Sequence, residues 1–136
     1  MADDVILNKA AIIERCVKRV RDLYADDDVN LFEDMTRQDA IVLNLQRACE
    51  AAIDLAMHLV RQRRLGVPQE SREAFSLLAE AGALDTSLAA TLARMVGFRN
   101  VAVHQYQELQ MPVVRAIIRE QLEDLLKFAA VALRSA

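Results

Sequence analysis

The chain has 136 residues, 54% of them apolar, and a formal net charge of −3. That length suits one domain, 1–136, with a real core. No run approaches the ~18 consecutive apolar residues of a membrane span, and the acidic balance argues against a passive, high-affinity nucleic-acid binder, which would be basic. Three Gly, two Pro and no Trp, with β-branched residues scattered among Ala, Leu, Arg and Glu, predict an all-α chain. A first helix is expected from about Asp4 to Ala25, with Val5, Ile12, Ile13, Cys16, Val20 and Leu23 as its apolar stripe. The acidic run Asp26-Asp27-Asp28 and the pair Glu33-Asp34 then read as a solvated loop. Thr36 or Arg37 opens a second helix, with Gln38 and Asp39 in its first turn. Its face of Ile41, Leu45, Ala48, Ala52, Leu55, Ala56 and Leu59 recurs at three- and four-residue intervals to about Arg63, where Gly66 and Pro68 stop it. Ser71 starts a short third helix that Gly82 ends. A fourth begins near Asp85 or Thr86, either of which can cap it, and runs through Leu88, Leu92 and Met95 into the stretch that opens at Arg99. Pro112 suits the first turn of a fifth, whose face is Val114, Ile117, Ile118, Leu122, Leu125, Phe128, Ala129 and Ala132. Four long elements and one short one predict an antiparallel four- or five-helix bundle.

Cys16 and Cys49 fall in helical segments, with neither a CxxC pair nor Cys/His ligand spacing, and are expected as reduced thiols. With no basic segment followed by an apolar one to mark a secretory leader, a cytoplasmic setting follows. No metal site is expected.

The chemistry-bearing stretch is Arg99-Asn100-Val101-Ala102-Val103-His104-Gln105-Tyr106. It places a permanent cation, an amide, an imidazole and a phenol within eight residues. Arginine neutralises charge on phosphate oxygens, and histidine gives or takes a proton near neutral pH. In a regular helix a five-residue step turns by about 140°, so Arg99 and His104 do not share a face. The helix is therefore expected to loosen near His104, and a two-fold homodimer to bring two copies of the motif around one cleft. Elsewhere, Asp54 and His58, four apart, read as a structural polar pair. Gln46, Glu50 and Asp54 form a polar ridge read as solvated. Arg61, Arg63 and Arg64 read as cations gathered at a helix C-terminus.

Arg99-x4-His104-x-Tyr106 resembles the motif of HEPN-fold ribonuclease toxins of the HepT type. Arg37–Ala48 and Ala51–Ala56 are similar to that family's second helix. Leu65-Gly66-Val67-Pro68, Arg72–Phe75 and Leu78–Gly82 are similar to the loop and short helix that follow. The resemblance implies a HEPN-like bundle with metal-independent endoribonuclease activity, belonging to a type VII-like toxin–antitoxin pair. It implies a nucleotidyltransferase-fold antitoxin as partner and RNA as substrate, with no cofactor and no membrane. Arg99, Asn100 and His104 match the catalytic positions, and Tyr106 matches a tyrosine that the antitoxin modifies with AMP. In that reading His104 is general base on the RNA 2′-OH and general acid on the 5′-oxygen. Arg99 stabilises the phosphorane-like charge, and Asn100 orients His104 or a phosphate oxygen. The expected products are a 2′,3′-cyclic phosphate and a 5′-hydroxyl, so DNA is spared and EDTA is harmless. The competing reading is a catalytically silent HEPN-like adaptor or nucleotide-sensing subunit for a nucleotidyltransferase.

Overall fold

The computed structural model describes residues 3–135, which form seven α-helices and one 3-10 turn. The helices are α1 (Asp4–Tyr24), α2 (Asp28–Phe32), α3 (Met35–Gln62), α4 (Ser71–Glu80), α5 (Thr86–His104), α6 (Met111–Glu120) and α7 (Leu122–Leu133), with the 3-10 turn at Tyr106–Glu108 between α5 and α6. The architecture is an all-α bundle. The central element is α3, which packs against α1, α2, α4, α5 and α7. Its twelve buried side chains include every apolar residue of the predicted stripe from Ile41 to Leu59. So much of its circumference is covered because neighbours approach from several sides, and a helix in that position must be apolar over a wide arc. Phe75 of α4 meets Phe128 of α7 edge to face, ring centroids 5.6 Å apart, at the middle of the core. Cys16 and Cys49 are free and buried, and burial pushes the Cys49 thiol up to about 12.

The first, third and fourth predicted helices begin and end within a residue or two of α1, α4 and α5. The second corresponds to α3 and starts at Met35, because Asp34 rather than a later residue is its cap: the Asp34 carboxylate accepts from the Arg37 N–H at 3.0 Å. Val5, placed in the predicted stripe of α1, is exposed, and Ile6 takes its place in the core. The side chain of Asp3 caps α1 by accepting from the N–H groups of Val5 and Ile6 at 3.0 and 3.3 Å.

Two expectations are corrected. The acidic run is not a solvated loop. Asp27 caps α2, accepting from the Val29 N–H at 3.0 Å. Asp28 accepts from the Tyr24 phenol and from Arg115 and Arg119 at 3.1 and 3.3 Å, tying α2 to α6. The predicted fifth helix is also two helices. Gln121 leaves the helical basin at φ −123°, although its N–H still donates to the Ile117 carbonyl at 2.8 Å. Nothing in its chemistry announces a break, and the apolar periodicity runs through it unbroken.

Candidate functional site

The whole motif lies at the C-terminal end of α5 and in the turn that follows. α5 remains helical to His104, then Gln105 departs at φ −142° and the chain tightens into the 3-10 turn that carries Tyr106. The expected loosening falls where the sequence places it. His104 is the last helical residue and is exposed, and its ring makes no hydrogen bond among the described residues.

Arg99 is held on two sides. Its Nη1 donates to Oδ1 of Asn100 at 3.0 Å and its Nη2 to Oε2 of Glu50 on α3 at 3.4 Å. Its Nε is buried without a partner. The amide oxygen of Asn100 thus accepts from Arg99, and among the described residues Asn100 makes no hydrogen bond to the imidazole. Asn100 also borders a cavity of about 250 Å3 together with Ser71 and Arg72 of α4. Gly97 lets Arg72 reach there: a Cβ at Gly97 would sit 2.8 Å from the Arg72 Nη2.

Tyr106 is 41% exposed, and its phenol donates to Oδ1 of Asp39 on α3 at 2.6 Å. Partial burial first, and the adjacent carboxylate second, push the phenol up to about 12. So within one chain Arg99 and Asn100 touch each other, Tyr106 is drawn to α3, and His104 stands apart with its ring free.

Sequence reasoning missed the roles of Asp39 and Glu50. They lie eleven residues apart on α3, which is within about 20° of three full turns, so both carboxylates present to the same side. The signal was available as a spacing, but nothing in the linear chain says that α5 lies there. Glu50, read as part of a solvated ridge with Gln46 and Asp54, is the partner of Arg99. The Asp54–His58 pairing is also corrected. His58 Nε2 lies 2.8 Å from Asp3 Oδ2, with Gln62 donating to the same oxygen at 2.7 Å, while Asp54 pairs with Lys9 at 3.1 Å. Both contacts tie α1 to α3, and the role of each is structural. The His58 hydrogen bond holds the Asp3 carboxyl below the usual carboxylate range. Of the three cations at the C-terminal end of α3, Arg63 donates to Ser135 Oγ at 3.0 Å.

Among the described residues no group of three or more His, Cys, Asp or Glu side chains is arranged to hold a metal, and no helix is long and apolar enough to cross a membrane.

Residues 13–132 match the family described as ribonuclease HepT-like. The chain is 47% identical over 126 residues to the mRNA nuclease HepT of Shewanella oneidensis, covering 93% of this chain and 94% of that one. Among solved structures it is similar to the tri-AMPylated Shewanella oneidensis HEPN toxin in complex with MNT antitoxin. There the TM-score is 0.91 at 45% identity, over 98% of this chain and 99% of the other. It is similar as well to a toxin–antitoxin crystallised with AMP-PNP, with a TM-score of 0.92 at 44% identity over 98% and 100% of the two chains. An exposed imidazole at a helix end, an arginine held beside it in sequence, a tyrosine two residues on and end-to-end similarity to these proteins converge on one assignment: the chain belongs to the HepT-like ribonuclease family.

Proposed function

We propose that this chain is a metal-independent endoribonuclease, the toxin of a HEPN/nucleotidyltransferase toxin–antitoxin pair, acting as a homodimer and neutralised when AMP is attached to Tyr106. The observation that carries the reading is the termination of α5 at His104, which leaves an exposed ring at the helix end, five residues after a constrained Arg99 and two before a half-exposed Tyr106. The relatives support it: one is called an mRNA nuclease, and another is a toxin carrying AMP and bound to its antitoxin.

In this reading His104 accepts the 2′-OH proton of RNA as that oxygen attacks the adjacent phosphorus, and then returns a proton to the departing 5′-oxygen. Positioned proton transfer of this kind is worth roughly 10²–10⁴-fold. Arg99 stabilises the extra negative charge on the phosphorane oxygens, and Asn100 fixes the guanidinium plane. Helix geometry supports the dimer. Arg99 and His104 sit about 140° apart around α5, so one chain directs them to different places and two chains complete the cleft. An apolar cavity of about 340 Å3 beside the motif, bordered by Phe98, Val101, Leu109 and Val113, offers surface for such a contact. AMP on Tyr106 adds bulk and negative charge where the substrate phosphate must lie, and both oppose RNA binding.

The adaptor reading draws on one observation: Glu50 and Asn100 already occupy the guanidinium of Arg99 in the free chain. The deciding experiment is RNA cleavage by the unmodified protein in EDTA beside His104→Ala, with the product ends identified. Cyclic phosphate ends that vanish in the variant support the nuclease. Intact RNA with both proteins, and no nucleotide on Tyr106 by intact mass, leaves the adaptor.

A further inference from the structure

The chain contains two tyrosines, and in each case the phenol donates to an aspartate. The two pairs are built in opposite ways. Tyr24 is buried, and its partner Asp28 also takes hydrogen bonds from Arg115 and Arg119. The Tyr24 hydrogen bond first, and those cations after it, hold the Asp28 carboxyl below the usual range, and Arg119 donates a further bond to the Tyr24 oxygen at 3.1 Å. A carboxylate so neutralised is a poor proton acceptor, and a phenol so covered is out of reach of a reagent.

Tyr106 and Asp39 have neither restriction. Asp39 is exposed in the first turns of α3, and among the described residues no cation pairs with it. Among the described residues its side chain has one hydrogen bond, from the Tyr106 hydroxyl at 2.6 Å, within the range for an O–H donor to an ionised carboxylate. The phenol itself resists ionisation in this setting, so at neutral pH its oxygen becomes a strong nucleophile only as its proton leaves.

The geometry points to Asp39 as the general base for nucleotide attachment to Tyr106, an inference that rests on the modification proposed above. The Tyr106 Oη attacks the α-phosphorus of a nucleoside triphosphate presented by the nucleotidyltransferase. The Oη–P bond forms, the bond from that phosphorus to the leaving pyrophosphate breaks, and the phenolic proton passes to the Asp39 carboxylate. Asp39, being exposed, then loses that proton to water. The acceptor that the reaction needs is thus supplied by the modified chain, already hydrogen-bonded to the oxygen that reacts.

The test uses the full chain with its cognate nucleotidyltransferase, ATP and Mg2+, following initial rates of AMP addition by intact mass. Asp39→Asn and Asp39→Ala are compared with wild type, and circular dichroism and thermal midpoints establish that both fold. Asparagine keeps an acceptor oxygen beside the phenol but takes up no proton, whereas alanine removes both. A base predicts that both variants lose about 10²-fold or more in rate at pH 7, with Asp39→Glu recovering part of it. If Asp39→Asn keeps the wild-type rate, the assignment is overturned, whatever Asp39→Ala does. If wild type itself takes up no AMP while the partner and ATP are competent, the modification reading falls, and this assignment falls with it.

Discussion

Replacing Arg99 by lysine tests whether the constrained guanidinium is there for chemistry or for stability. The contact with Glu50 spans 3.4 Å, between side chains 29% and 36% exposed. Two unit charges at that distance attract by about 5 kcal/mol at an effective dielectric near 20, but desolvation and side-chain ordering consume most of it. Partly exposed pairs are worth roughly 0.2–1 kcal/mol when measured. Lysine keeps the charge, though its single ammonium cannot bridge Asn100 and Glu50 as the two Nη groups do. The folding cost is therefore about 1 kcal/mol or less, a fall of roughly 2–8 °C in thermal midpoint. With a total of roughly 5–15 kcal/mol for a domain, the variant stays essentially fully folded at 25 °C. Catalysis responds differently, because removing a fixed donor aimed at developing negative charge costs roughly 10²–10³ in kcat. The assay is single-turnover RNA cleavage at 25 °C with saturating protein, beside a thermal melt of the same sample. Cleavage within threefold of wild type would refute the role assigned to Arg99. So would a loss of activity matched by an equal loss of folded protein.

Three further outcomes follow from contacts already described. Spectrophotometric titration of the phenols should give a component with its midpoint at about 12 that is absent from Tyr106→Phe, and Asp39→Asn should move it downward; a midpoint near 10 in wild type would contradict the Tyr106–Asp39 geometry. Because the Asp3 carboxyl in the fold lies below its ordinary 3.8, the unfolded chain takes up that proton first. The stability it adds is therefore complete above that pH and is lost as the pH falls through the lower folded value; Asp3→Asn should flatten the acid limb of a denaturation-versus-pH series, and an unchanged slope would count against the His58 contact. Gly97→Ala should raise the thermal midpoint, since alanine is favoured over glycine within a helix by up to about 1 kcal/mol and the group that must yield is the mobile end of Arg72; a lower midpoint would mean that Arg72 is anchored.

The elements legible in the sequence were those whose periodicity is long and whose ends carry breakers. α3 shows its core face from Ile41 to Leu59, and Gly66 and Pro68 mark where its pattern must stop. α5 gave up its Asp85 cap and its motif in the same way. The five-residue α2 was hidden, because three consecutive aspartates look alike whether they are solvated, capping a helix or gripping arginines. The break at Gln121 was hidden for the opposite reason, as no local preference opposes continuing the helix. At the site, the Arg99, Asn100, His104 and Tyr106 motif was readable as chemistry. The contacts that set Arg99 and Tyr106 were not, since Glu50 and Asp39 come from α3, about 49 and 67 residues away in sequence. His58 illustrates the same limit. Its i−4 neighbour Asp54 was the obvious partner, but Asp3 and Lys9, brought in by α1, took both side chains.

Cys49, next in sequence to Glu50, faces inward with its thiol pushed up to about 12 by burial. At neutral pH it offers neither access nor thiolate to an alkylating reagent, so labelling must wait for the packing around α3 to part. The rate at which a thiol reagent consumes Cys49 then becomes a clock for that opening, read in the native protein without denaturant. Run with and without a partner or a modified Tyr106, the same clock reports whether neutralising the motif also tightens the helix that holds it.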